Sequence, residues 1–490
     1  MTTSRDEDAN GGGTEGELYR KHLALIDSAF EESEWEGGIA TLDILRTPSA
    51  KPAPYHIRLL IYLALYPHSA DQAPKNEPRR TPTNPNELEA KEQQVPTPEA
   101  SRAAHDALMA FAHTNAPASL FRALPSYVLE DKGHGIYASL DDGDNEDFDL
   151  GEASMRIKEA RNVWEFLREG FIQLAPPSRG GVRNESTLKE SSPEQPMAVD
   201  NHAWEVLEWI VTVMEKDEIL TEKTGKPRHS PLLLRQIPPP RMSGGRWDIA
   251  MPLEVILQCL QNHKERRKQL GVRLLTMLIN LAQTDHMDVS LFSSMTCSRI
   301  AALSPEIVDF VLISLPQSSI SVQFKMLLCR YLLMDPTTGA ANNPNGRPKP
   351  VAKQPRAVPR RAGQAPVQAE ATTLNVQAAS SAPKFRSTTI ADILRLLAQT
   401  PLSSTLSHIQ QLRFKATLVY SFATAQTLLS TEDVVKDPDW PNLPHSGRLV
   451  QAVEHSFVPT SILTAEEIGE VEKMKGQLIT FIQCCQLDQF

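Results

Sequence analysis

From residue 250 to 334, large apolar residues recur three and four positions apart, a spacing that one face of an α-helix can bury and a strand cannot. Leu253, Ile256, Leu257 and Leu260 occupy i, i+3, i+4 and i+7, and Leu270 to Ala282 is so apolar that it has to be covered on most sides. Ser304 followed by Pro305 is a helix start: the hydroxyl can accept an orphan amide, and proline lacks the hydrogen that position would leave unpaired. Ile307, Val308, Val311, Leu312 and Leu315 follow on one stripe, and Ser321 to Met334 supplies another helix.

The same period runs through the rest of the chain. Thr14 and Glu17 have capping-box spacing ahead of Tyr19, His22, Leu23, Ile26 and Phe30. Helices are expected near 36–46 and 55–66, the latter with Pro54 in its first turn, then at 103–114, 154–174 and 203–216. Toward the C-terminus Thr389 and Asp392 bracket a helix start, Leu406 to Ala423 forms a longer helix, and Thr464 with Glu467 caps a last one. No segment alternates with period two between hairpin turns, so strands should be few or absent. Starts near 252, 269, 305 and 321, with a weaker element at 288–300, imply antiparallel pairs joined by short corners. The fold class expected is therefore all-α. The spacing resembles an irregular helical repeat, an α-solenoid of the HEAT or armadillo type. Residue-by-residue self-similarity is lacking, and an irregular helical bundle would give a similar pattern.

Proline, at 37 of 490 residues, marks spacers between the helical blocks. Its distribution divides the chain into a disordered tail (1–16), a helical block (17–66), a linker (67–98), a second block (99–175) with an acidic loop at 141–149, a linker (176–200), a central block (201–335), a basic linker (336–387) and a C-terminal block (388–490).

The N-terminus is polar and acidic, unlike a secretory or transit peptide, and no run reaches the ~18 uncharged apolar residues that would cross a bilayer. An intracellular protein is expected, with the nucleus favoured over the cytoplasm. Cys259, Cys297, Cys329, Cys484 and Cys485 lack paired spacing and read as reduced thiols. Charge is segregated: residues 1–225 carry 22 Lys+Arg against 40 Asp+Glu, residues 226–430 carry 24 against 10, and residues 431–490 carry 4 against 10. Such a basic middle attracts polyanions, or its own acidic flank could dock on it.

Motifs for common chemistries are incomplete. Gly11–Gly13 and Gly244–Gly245 lack the rest of a phosphate loop, and Ser186–Lys189 falls in a spacer where no site could be preorganised. Cys259 and His263 stand four apart without a second ligand pair, and Asp142, Asp144 and Glu146 lack the glycine and final glutamate of a calcium loop. No metal, cofactor or catalytic residue is assigned. Asn184 opens a glycosylation sequon that an intracellular chain would not use, and Thr81, Thr97 and Ser192 precede proline where a proline-directed kinase could reach. Six tryptophans, at 35, 164, 204, 209, 247 and 440, mostly fall on apolar stripes and read as packing.

The residues singled out for polyanion or partner contact are Lys264, Arg266, Arg267 and Lys268, at a corner between two apolar helices, and Arg347, Lys349, Lys353, Arg356, Arg360 and Arg361 in the basic linker. Ordinary solvation of a turn and a plain linker are the competing explanations. The expected function is a noncatalytic scaffold or adaptor subunit binding other proteins in a larger complex, with no membrane role. A nucleic-acid-binding or chromatin-associated factor using the basic middle is the alternative, and an unrecognised enzyme on a helical fold is the third.

Overall fold

Nearly every apolar stripe of the sequence becomes a helix with that stripe turned inward, in a computed structural model that describes residues 15–67, 96–127, 155–172, 197–240, 247–334, 385, 388–399, 406–427, 429, 436–442, 446–459 and 463–487. The described residues are mostly helical. Among the described residues the only strands are β1 (Gly16–Glu17) and β2 (Ala50–Lys51), a two-residue parallel pair. No helix among them is long and apolar enough to cross a membrane. The tail before residue 15, the acidic loop and most of the three linkers lie outside the described residues, as do Thr81, Asn184, Ser186, Lys189 and Ser192. Two units are present, residues 1–300 with 313–315 and residues 301–312 with 316–490.

The first unit contains α1 (Arg20–Glu31), α2 (Trp35–Ile44), α3 (Pro54–Leu65), α4 (Pro98–Thr114), α5 (Pro117–Phe121), α6 (Val163–Phe166), α7 (Trp204–Lys223), α8 (Pro231–Leu234), α9 (Ala250–Gln261), α10 (Glu265–Leu281) and α11 (Val289–Ala301, its last residue excepted). Within it α1 packs on α2, α3 on α4, and α9 on α10. The three-residue connections of the first and third pairs make them helical hairpins, and Ser101 near the start of α4 donating to the Leu63 carbonyl near the end of α3 sets that pair antiparallel too.

The second member of each pair joins a row that also includes α7: α2 packs on α4, α4 on α7, and α7 on α10. The cross-links fix direction. Thr97, just before α4, donates to Glu36 at the start of α2, while Arg46, just past α2, donates to Thr114 at the end of α4. Lys216 in the C-terminal half of α7 donates to the carbonyls of Ala112, His113 and Asn115, at 2.9, 3.0 and 2.7 Å. Glu208 and Glu215 of α7 meet Arg266 and Arg273 of α10 in the same order. The four helices therefore run side by side in one direction.

Close approach within two hairpins requires glycine. A Cβ on Gly38 of α2 would stand 2.7 Å from the Phe30 ring of α1, and one on Gly271 of α10 would stand 2.7 Å from Cys259 Cβ and 3.3 Å from the Ile256 carbonyl of α9. Shorter elements are fastened by buried polar groups. The fully buried Gln236 accepts from the Val163 amide and donates to the Pro125 carbonyl, and its own carbonyl accepts from Trp164 Nε1.

The second unit contains α12 (Pro305–Ser314, its last two residues excepted), α13 (Ser319–Leu333), α14 (Ile390–Ala398), α15 (His408–Thr427), a 3-10 turn (Trp440–Asn442), α16 (Arg448–Ser456) and α17 (Ala465–Leu487). Helix α15 is its axis, packing against α13, α14 and α17, and α16 bridges α14 and α17. Thr389 and Asp392 close the expected capping box, and Thr464 and Glu467 exchange the same pair of bonds. Lys415 of α15 is buried, yet its ammonium meets no carboxylate: it donates to the carbonyls of Leu397 and Gln399 and to the Ser456 hydroxyl. It thus satisfies the C-terminal end of α14 and ties in α16, and burial pushes its pKa down to about 8.

Three local expectations are corrected. Glu17 lies in β1, pairs with Arg122 and caps nothing, because α1 begins at Arg20 after Tyr19, which makes no side-chain cap. The single helix expected over 154–174 is interrupted: Asn162 accepts from the Glu165 amide and starts α6 afresh, α6 ends at Phe166 with Leu167 as its C-cap, and Gly170 turns the chain beyond it with φ of 77°. Thr97, expected in a spacer, is the N-cap of α4, which starts at Pro98 rather than near 103; its hydroxyl accepts from the Ala100 amide. All six tryptophans except Trp247 are buried, and of the five cysteines, each a thiol rather than half of a disulfide, only Cys484 is exposed.

Gly271→Ala should lower unfolding free energy by ~1–3 kcal/mol, since backbone and a Cβ cannot swing aside, whereas Gly469→Ala, with nothing within 4 Å, should gain ~0.5–1 kcal/mol from helix propensity. Paired denaturant titrations measure both. Lys415→Met should cost ~1–3 kcal/mol by leaving buried carbonyls unpaired. The stability tied to the depressed Lys415 pKa is present above its ordinary value of 10.5 and lost as pH falls through about 8, so thermal melts of the wild type, compared with the Met variant, should show an extra loss over that interval.

Candidate functional site

The corner between α9 and α10 turns because Asn262 accepts from the Lys264 amide, and Lys264 then occupies the N-cap position of α10 without a side-chain cap. Its four basic residues come together there, but not all are left to solvent. Arg266, 77% exposed along its side chain, pairs with Glu208 of α7 at 2.8 Å. Arg267 is half-buried and lies over the Trp204 ring at 4.3 Å from the centroid, a cation–π contact in which burial lowers its pKa. Lys264 is exposed and Lys268 half-buried. The corner thus anchors the start of α10 to the start of α7 while presenting Lys264 and one face of Arg266 outward. Arg347, Lys349, Lys353, Arg356, Arg360 and Arg361 lie outside the described residues.

Below the corner the α7–α10 interface continues as a ladder whose rungs leave α10 one heptad apart. Arg273 grips Glu215 with two nitrogens, at 2.8 and 2.5 Å, and also donates to Thr212. Seven residues on, Asn280 donates to Glu218, which is 1% exposed and takes a second bond from Arg228 at 3.1 Å. Next to it Asp217 accepts from the Ser230 hydroxyl and the Leu232 amide, fastening the segment before α8. Burial pushes both Asp217 and Glu218 above the ordinary carboxylate range; their hydrogen bonds pull the other way without winning.

These rungs were not singled out in the sequence, although Glu208 and Glu215 on one helix and Arg266, Arg273 and Asn280 on the other keep a seven-residue spacing. They also answer the charge segregation. Acids before residue 225 do meet bases after it, but as rungs between packed neighbours in one unit rather than as two separable halves. Chemically the arrangement offers ion pairs and a cation over an aromatic face. Among the described residues no three His, Cys, Asp or Glu side chains gather as metal ligands. Cys259 is buried against Gly271, and burial drives its thiol up to about 12.

The raised carboxylates fix a sign for pH dependence: their contribution is fully present below the ordinary Asp and Glu values and is lost as pH rises through their folded-state values. Glu218→Gln keeps the Asn280 contact as a neutral pair and removes one of these charges. Its stability relative to wild type should therefore improve as pH is raised from ~4 to 7, read from urea midpoints at each pH; a constant difference would contradict the assignment. No family model, curated protein or solved structure matches this chain.

Proposed function

We propose that the chain is a noncatalytic helical scaffold, its first unit an α-solenoid related in architecture to HEAT and armadillo arrays, that binds other proteins as a subunit of a larger intracellular, preferentially nuclear, complex. The observation that carries this reading is the row α2, α4, α7 and α10, four helices in parallel, three of them backed by an antiparallel partner. Stacked pairs of this kind offer extended surface rather than a deep pocket. The C-terminal edge of the row exposes Ile44 at the end of α2 and Ile219 and Leu220 near the end of α7.

A second reading, direct contact with nucleic acid, has the exposure of Lys264 and Arg266 in its favour. Against it, Arg266 and Arg267 already hold partners within the chain.

On the scaffold reading, the tagged chain purified from its native cell comes down with defined, stoichiometric proteins. Ile44→Glu combined with Ile219→Glu should reduce their recovery at least about tenfold, equivalent to ~1.4 kcal/mol, while leaving the melting temperature unchanged because both sites are exposed. Purification as a lone chain would sink it. On the nucleic-acid reading, duplex or single-stranded probes bind at ~50 mM salt and lose affinity steeply by ~200 mM, and neutralising Lys264, Arg266 and Lys268 flattens that dependence. Absence of binding at low salt would eliminate it.

A further inference from the structure

Residues 15–17 run extended along a corner formed by β2, the junction of α4 with α5, and Lys216 of α7. The receiving side is well built. Asn115, fully buried, donates to the carbonyls of Thr47 and Ala50 at 3.1 and 2.7 Å and so fixes the course of β2. Lys216 is held by three carbonyls at the end of α4. Arg122 is 21% exposed along its side chain.

Onto this corner the strap lays two carboxylates and a stretch of backbone. Glu15 accepts from the Ala116 amide at 2.7 Å and from the Ser119 hydroxyl, and its charge is felt at Lys216. The Gly16 amide donates to the Ser49 carbonyl at 2.8 Å, and Gly16 and Glu17 stand in register with Ala50 and Lys51. Glu17 accepts from Arg122 at 2.9 Å. The occupant itself is shallow: Gly16 and Glu17 are exposed, and no side chain of the three is apolar. Side chains two apart on an extended segment share a face, so the corner reads a backbone edge plus acids at i and i+2.

We propose that this corner is a docking site for an extended acidic segment of a partner protein, with two carboxylates two residues apart, and that the chain's own residues 15–17 fill it until such a segment displaces them. The occupant is purely polar, with Glu15 half-buried and Gly16 and Glu17 exposed, so no apolar burial holds it in place and a competing segment can displace it. The strap wins in the isolated chain through its tether, which sets an effective concentration on the order of millimolar. This site is separate from the basic corner at 264–268 and does not rest on the scaffold reading.

The test uses the full chain and a fluorescent peptide copying residues 11–19. The Glu15→Gln/Glu17→Gln chain, whose strap has lost both charges, should bind the peptide at least about tenfold more tightly than the wild type, where the tethered strap competes. Adding Arg122→Ala to that variant should weaken binding about tenfold, raised salt should weaken it too, and a peptide with both Glu replaced by Gln should not bind. Equal affinity for the wild type and the strap variant, no binding to the variant, or indifference to Arg122 would overturn the proposal. As a measurement free of mutation, saturating peptide should increase deuterium uptake at residues 16–18 of the wild-type chain; unchanged uptake would overturn displacement. A wild-type dimer that dissociates when Glu15 and Glu17 are neutralised would assign the corner to a second copy's strap and overturn the partner reading.

Discussion

Parallel packing of α2, α4, α7 and α10 carries an electrostatic cost that the rest of the first unit has to meet. Neighbours that point the same way bring like ends of their backbone dipoles together, so carbonyl ends crowd at one edge of the row. Long cationic side chains offset this. Arg46 lies just past the end of α2 and reaches Thr114 at the end of α4, Lys216 takes three carbonyls from the end of α4, and Arg228 stands just after α7 against Glu218 and Glu222. In the second unit lysines close helix ends as well: Lys415 satisfies the end of α14, and Lys436 donates to the Gln426 carbonyl near the end of α15. A lysine stem packs along an apolar face while its head supplies three donors, which suits it to close a neighbour's helix end without bringing in an acid.

Apolar burial supplies the bulk of the cohesion but says little about alignment, since one leucine stripe slides over another at small cost. Alignment comes from the rungs. Glu208 pairs with Arg266, Glu215 with Arg273 and Glu218 with Asn280, the α10 members standing seven residues apart, and a shift of α10 by one turn would take Asn280 away from the buried Glu218 and leave it Arg228 alone. An exposed pair such as the first contributes ~0–1 kcal/mol, whereas losing a hydrogen bond to a buried carboxylate costs ~1.5–3 kcal/mol, so the deepest rung weighs most in setting register. Gly271 acts on the opposite side of α10, where the absence of a Cβ lets α9 approach closely.

Much of this was legible in the apolar period. The stripe through Leu253, Ile256 and Leu260, the Pro54 start of α3 and the Thr389–Asp392 box all depend on residues near in sequence, and local signals survive folding. Legibility failed where a distant partner outbid a local option. Glu17 has capping-box spacing from Thr14, yet Arg122, more than a hundred residues away, holds it in β1. Thr97 looked like spacer because the prolines around it resemble linker, while the Ala100 amide and Glu36 make it a helix cap. At the basic corner, sequence could bring Lys264 to Lys268 together, but only the fold shows that Arg266 and Arg267 are turned toward Glu208 and Trp204.

The segregation of charge along the chain takes on a different meaning once the rungs are known. A basic middle following an acidic first half suggests two bodies attracted through space, which salt would separate. In the first unit the divide at residue 225 falls just after α7, so acids of one half and bases of the other become immediate neighbours across the α7–α10 interface. Partly buried pairs of this kind are screened far less than exposed ones, so the attraction works as short-range alignment. What remains for solvent and partners is the charge the rungs leave over, and among the described residues that includes Lys264 and the outer face of Arg266 at one end of α10. Glu15 and Glu17 follow the opposite logic: acids of the first half that meet Arg122 and Lys216 of that same half, at the surface, where a competing carboxylate has access.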